Sequence, residues 1–164
     1  MKNKITRRFI TTFFMLFMAL SFIPATIFAA TEINKVEIGA VKFDYYAGDK
    51  PDSWTTRGGD TAYYYDIEYE CWEQMENNEK GKLDPVKYWY SDEKKNNVLK
   101  DEEKITTFEE GKTYMYSISL KARDGYTFAD NTEVYVNSEK ANSMSISEDK
   151  KILFVTAIKT IKPT

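Results

Sequence analysis

Asp66, Glu68 and Glu70 occupy alternate positions in a stretch rich in tyrosine. On an extended chain they share one face, about 6.5–7 Å apart per step. Glycoside hydrolysis uses carboxyl pairs at such separations, with one acid kept protonated by burial. Alternation turns these three outward, where water favours the charged form, so they read as solvated charge that discourages edge pairing. A secreted hydrolase using a pair among them is the alternative from the enzyme class. Cys71 is the single cysteine and histidine is absent. Those two facts exclude Ser-His-Asp and Cys-His catalysis, histidine-ligated zinc, cysteine-cluster metal sites and an intrachain disulfide. Without an imidazole to lower its pKa, Cys71 reads as a small buried apolar residue, with an intermolecular disulfide as the lesser alternative. Asp49, Asp52 and Asp60, and separately Asp124 and Asp130, lack the alternating spacing that converges oxygens on calcium. No cofactor, no metal and no catalytic residue is expected.

Aromatic residues are the informative excess. All 12 tyrosines and all three tryptophans lie beyond residue 30, whereas six of the ten phenylalanines precede it. The runs Tyr45-Tyr46, Tyr63-Tyr64-Tyr65 and Tyr88-Trp89-Tyr90 set successive rings on opposite faces of extended chain. One face can enter a core; the other is exposed or covered by a loop. Rigid amphipathic rings lose little entropy on contact, which suits them to binding a protein or stacking on a sugar. Tyr88, Trp89, Tyr90 and Tyr64 are therefore the candidate contact residues. The competing role is local, with Tyr64 and Trp89 covering neighbouring loops.

The elements that carry these residues are strands. Period-two alternation dominates, and no long apolar stripe has helical spacing. In 113–122, Tyr114, Tyr116, Ile118, Leu120 and Ala122 share one face. In 63–72 the inward set is Tyr63, Tyr65, Ile67, Tyr69 and Cys71, with Tyr64, Asp66, Glu68, Glu70 and Trp72 outward. A third strand, 33–43, shifts phase at Gly39, which suggests a bulge or a strand changing sheets. Residues 143–147 and 151–161 flank a hairpin turn at Glu148-Asp149-Lys150, and 86–90 and 133–136 are shorter candidates. Residues 75–104 hold two charged runs around Tyr88-Trp89-Tyr90 and read as a long hairpin or loop excursion, with a short helix at 100–104 also compatible. About seven strands separated by turn chemistry predict an all-β fold, an antiparallel β-sandwich.

Residues 1–30 read as a secretory signal peptide and its helix. Lys2, Lys4, Arg7 and Arg8 precede an apolar run from Phe9 to Leu20, Pro24 breaks the helix, and Ala29-Ala30 offers a cleavage point. An uncleaved anchor is the competing reading. Residues 31–164 then carry 19 basic and 26 acidic side chains, a formal charge of −7. That balance argues against nucleic-acid binding. No cysteine ends the apolar run and no second apolar segment follows, so the expected product is secreted, extracellular or loosely held at a cell surface, without membrane insertion after cleavage.

The stretch from Phe108-Glu109-Glu110-Gly111-Lys112-Thr113-Tyr114 through Leu120-Lys121-Ala122 to Asp124-Gly125-Tyr126-Thr127-Phe128 has the phrasing F-x-x-G-x-x-Y, L-x-A and D-G-Y-x-F. It resembles the immunoglobulin-like domains of secreted and cell-surface proteins of Gram-positive bacteria. Ala47-Gly48-Asp49-Lys50-Pro51 is similar to their A-G-x-x-P turn, and Trp72, Val134-Tyr135-Val136-Asn137 and the strand at 152–158 extend the resemblance over most of residues 36–158. The resemblance implies an immunoglobulin-like sandwich and a non-catalytic binding or interaction module. Its partner would be an extracellular protein or a glycan, the glycan being the alternative that Trp89 and its neighbours suggest. The aromatic-bearing excursion at 75–104 is longer than the family pattern. The matching residues have structural roles: Gly111 and Gly125 suit corners of positive φ, and Phe108, Tyr114, Tyr126 and Phe128 suit the ends of a core.

Overall fold

Strand β5 (Thr113–Ala122) follows its alternation to the letter: Tyr114, Tyr116, Ile118, Leu120 and Ala122 are all at most 4% exposed. It is the centre of a five-stranded antiparallel sheet in a computed structural model that describes residues 29–164. The signal peptide read from the sequence lies outside the described residues apart from Ala29 and Ala30. Around β5 the strands are β1 (Thr31–Gly39), β2 (Thr56–Gly58), β3 (Tyr65–Asn77), β4 (Leu83–Tyr90), β6 (Tyr126–Val136), β7 (Glu139–Lys140), β8 (Met144–Ile146) and β9 (Ile152–Ile161). The larger sheet has the order β4-β3-β5-β9-β8, and the smaller one β2-β1-β6-β7. Their facing sides share one apolar core, built from Ile33, Val36, Ile38, Val134 and Val136 on one side and Tyr65, Trp72, Tyr116, Ile118, Leu120, Leu153 and Val155 on the other. The molecule is an all-β two-sheet structure.

The seven strands expected from alternation are joined by β2 and β7, of three and two residues. Strands this short show no period; they serve as blunt sheet edges that resist pairing with other chains. The expectation of wholly antiparallel sheets is corrected at one pair, because β1 and β6 run parallel. Alternation identifies a strand's faces but not the direction of its neighbour. Strand β6 also runs through Asp130-Asn131 rather than starting after it, with three extra residues opposite β1. The Thr132 hydroxyl lies 2.7 Å from the Ile33 carbonyl and 2.6 Å from that of Ala129, filling the interrupted ladder.

The phase shift near Gly39 ends the strand. Ala40 takes a left-handed φ of 58°, and the chain then crosses the sandwich with Val41 and Tyr45 buried. The Asn137 side chain accepts from Val41 N and donates to Val41 O, replacing a strand neighbour. At the Phe108–Tyr114 corner, Gly111 has φ 71°, and the buried Tyr114 hydroxyl accepts from Glu109 N at 2.9 Å. That bond satisfies a polar group whose burial would otherwise be costly.

Strand β3 departs furthest from its expected pattern. Pairing with β5 slips between Ile67 and Tyr69, leaving Glu68 as an extra residue. A one-residue bulge exchanges the two faces of everything beyond it. Tyr65 and Ile67 face inward as expected, but past the bulge Glu70, Trp72 and Gln74 face inward instead, each at most 2% exposed. Tyr69, Cys71 and Glu73 turn to the outer face. Tyr63, expected inward, lies before the strand and is 76% exposed. Residues 75–104 form a β3–β4 hairpin, then helix α1 (Glu93–Asn97), then a single 3-10 turn at Asp101–Glu103.

Candidate aromatic binding face

The bulge in β3 builds a surface on the outside of the five-stranded sheet. Tyr69 and Cys71 stand on β3, directly opposite Ser119 and Ser117 of β5. Tyr88 and Tyr90 stand on β4 opposite Glu73 and Cys71, and Phe154 stands on β9 opposite Ser119. Because Ser119 is small, the Tyr69 and Phe154 rings meet across β5 at 6.3 Å. Tyr69 and Tyr90 meet edge to face at 5.6 Å and 81°, and Tyr90 lies parallel to Tyr88 at 6.2 Å and 3°. Tyr88, Tyr90, Tyr69 and Phe154 thus form one chain of four half-buried rings spanning β4 to β9. Pairs of this kind add about 0.5–1.5 kcal/mol each beyond the area they bury.

Beneath the rings lie Cys71, Ser117 and Ser119, all nearly inaccessible. Burial pushes the Cys71 thiol up, with the Glu73 charge adding to it, so this sulfur is an inert packing group rather than a nucleophile. The Ser117 hydroxyl has no hydrogen-bond partner among the described residues. Glu73, half-buried on the same face, is raised above the ordinary carboxylate range by desolvation alone. Burial likewise raises the Tyr69, Tyr88 and Tyr90 phenols, which stay neutral donors at physiological pH.

Helix α1 supplies a cation. Asp92 caps it by accepting from Lys94 N at 3.0 Å. Asn96 pins it to β4, accepting from Tyr90 N at 2.9 Å and donating to Tyr90 O. This places Lys95 Nζ 4.3 Å from the Tyr69 ring centre and 5.8 Å from that of Tyr90.

The four residues singled out from the sequence fall in three places. Tyr88 and Tyr90 belong to the outer face. Trp89 pairs with Trp72 on the opposite side of the sheet and packs partly buried against the core. Tyr64 stacks on Tyr126 at 4.3 Å and 12°, beside the start of β3. Tyr69, Phe154, Glu73 and Lys95 complete the outer face. Uninterrupted alternation sends Tyr69 inward and so hides it; the consecutive apolar run at Ile152–Val155, which calls for cover on both sides, is the one signal that marks Phe154. The Tyr45-Tyr46 run does set one ring in the core and the other, 67% exposed, in solvent, while Trp54, which no sequence pattern marked, is 73% exposed on the same crossing loop.

The three carboxylates of β3 separate just as widely. Asp66 is held by Arg123 at 2.6 Å and Arg57 at 2.9 Å, and the Arg123 hydrogen bond lowers its pKa. Glu68 is exposed and accepts from Ser119 at 2.9 Å. Glu70, expected in solvent, is inside the sandwich, where the hydroxyls of Ser53, Thr55 and Tyr116 donate to its carboxylate. The acid that a hydrolytic pair needs in raised form is lowered in Asp66, and the buried one faces hydroxyl donors rather than a second acid. Among the described residues no group of three or more acidic or cysteine side chains converges as a metal site, and no helix is long and apolar enough to cross a membrane. Comparison with protein-family models, curated proteins and solved structures finds no match to this chain.

Proposed function

We propose that this chain is a secreted, non-catalytic binding module of immunoglobulin-like type that contacts an extracellular protein or surface glycan through the outer face of its larger sheet. The observation that carries the reading is the continuous chain of rings Tyr88, Tyr90, Tyr69 and Phe154, topped by Lys95. Contiguous aromatic surface of this sort is characteristic of contact sites rather than of scattered solvent-facing rings. The two-sheet packing and the glycine corners at Gly111 and Gly125 support the immunoglobulin-like assignment. The basic and then apolar N-terminal segment supports export.

A glycan array and a pull-down on cell-surface extracts, run with wild type, Tyr90→Ala and Trp89→Ala, test the reading. Tyr90→Ala should weaken binding by about tenfold or more, in the range of an interface anchor. Unchanged binding by Tyr90→Ala would remove the outer face from consideration, and retention only in that variant but not in Trp89→Ala would move the site to the Trp89 side. Cell fractionation tests export separately, with the protein expected outside the membrane.

A further inference from the structure

Strand β9 runs for ten residues, but its neighbour β8 runs for three. Strand β8 pairs with Leu153, Phe154 and Val155, and Thr156 N then donates to Ser143 O at 3.0 Å. Beyond that point Lys159, Thr160 and Ile161 pair with β5 on one side, and among the described residues no strand pairs with them on the other. An open edge of this kind presents N–H and C=O groups with which a further extended chain can pair.

The two sheets part beside this edge. Phe43, Val136, Ala141 and Ile158 line a cavity of about 90 Å³, completed by Asn137 and by the exposed Glu139, Lys140 and Lys159. The Asn137 amide is already occupied, accepting from Val41 N and donating to Val41 O. The interior of the cavity is therefore apolar in what it offers. A drug-sized ligand needs roughly 300 Å³ or more, so the space suits one aliphatic side chain. Lys140 is held by Glu133. Lys159, Lys162 and Glu139 join no ion pair among the described residues, which leaves two lysines against one acid along the edge.

We infer that the open edge of β9 accepts an extended, acidic segment of a partner protein as an added strand, with an aliphatic side chain in the cavity and carboxylates beside Lys159 and Lys162. In such additions main-chain pairing supplies affinity and side-chain pockets supply selectivity. Edge lysines alone serve to discourage pairing. A guarded edge needs no apolar cavity beside it, and the cavity sets this edge apart. A second copy is the poorer occupant, because two β9 edges would set Lys159 and Lys162 against their equals. The site is separate from the aromatic outer face and does not depend on it.

Three acetylated and amidated heptapeptides, Thr-Asp-Thr-X-Thr-Asp-Thr with X valine, leucine or isoleucine, test it by titration into the full chain with backbone amide NMR signals followed. At least one should bind with Kd below about 1 mM, shifting the amides of Ile158, Lys159, Thr160 and Ile161 and slowing hydrogen exchange there. Replacing X by serine, or both aspartates by lysine, should weaken binding by about fivefold or more. In Lys159→Glu/Lys162→Glu the preference between the aspartate and lysine peptides should invert. Both lysines are exposed, so the reversed variant is expected to fold. No binding by any of the three at about 1 mM, shifts confined to other parts of the molecule, or a charge preference that survives the reversal overturns the site. Sedimentation at increasing concentration should find a monomer. A dimer in which those four amides are shielded would assign the edge to a second copy and overturn the acidic partner.

Discussion

The Tyr116 hydroxyl donates a 2.6 Å hydrogen bond to the Glu70 carboxylate in the interior of the sandwich. Ser53 and Thr55, on the crossing loop, donate to the same carboxylate from the other side, so one buried acid ties the loop to the sheet. It also fixes the residue between them: Trp54 is held in solvent by two neighbours that both point inward. Burial and the adjacent carboxylate both push the Tyr116 phenol far up, which keeps it a donor over the whole accessible pH range. Tyr116→Phe leaves that carboxylate a donor short and should cost about 1–3 kcal/mol. In a cycle with Glu70→Gln the penalty should shrink. Urea unfolding measures both, and a loss below about 0.5 kcal/mol for Tyr116→Phe would deny the network any energetic role.

Leu120 lies on the inner face of β5 and is wholly inaccessible. Leu120→Ala should cost about 2–5 kcal/mol from lost transfer energy and the cavity left behind. A near-neutral result in the same urea melts would contradict the assigned face.

Deletion of Glu68 tests the bulge. Removing the extra residue lets β3 alternate without interruption while Tyr69 keeps Ser119 and Trp72 keeps Tyr116 as partners, so Glu70, Trp72 and Gln74 stay inward. The deletion is expected to keep a single cooperative thermal melt, read by circular dichroism. A deletion variant that loses cooperative unfolding would contradict the assignment of Glu68 as the unpaired residue of the bulge.

Much of this architecture was legible in the residues. The strand at 113–122, the hairpin at 143–161 and the corners at Gly111 and Gly125 follow from alternation and turn chemistry, which are local. The inward turn of Trp72 and Glu70 was not legible, because a bulge is set by pairing between β3 and β5 and leaves no mark on β3 alone. The same slip hid the aromatic outer face: Tyr69 looked like core and Trp89 looked like surface. Tyr88 and Tyr90 were legible because they are two apart on a short strand. Lys95 could not be joined to them, since its place depends on Asn96 folding α1 back onto Tyr90.

The pH response of stability isolates Glu73. Desolvation raises its pKa from the ordinary 4.5, so the folded chain holds the proton to higher pH than the unfolded chain does. Stability from this group is therefore greatest at low pH and falls as pH rises from the ordinary carboxylate range through the raised folded value. Glu73→Gln should stabilise the protein at about pH 7 and have little effect at about pH 3. Chemical melts of both proteins across that range check it, and a variant destabilised at neutral pH would mean that the charge has a partner.

The most direct test compares wild type with the double variant Tyr69→Ala/Tyr90→Ala and with Trp54→Ala, measuring affinity for whichever array or surface ligand wild type binds best. Loss of about tenfold or more in the double variant, with Trp54→Ala close to wild type, is the result expected of a site on the outer face. Undiminished affinity in the folded double variant together with loss in Trp54→Ala would place recognition on the crossing loop and contradict the account.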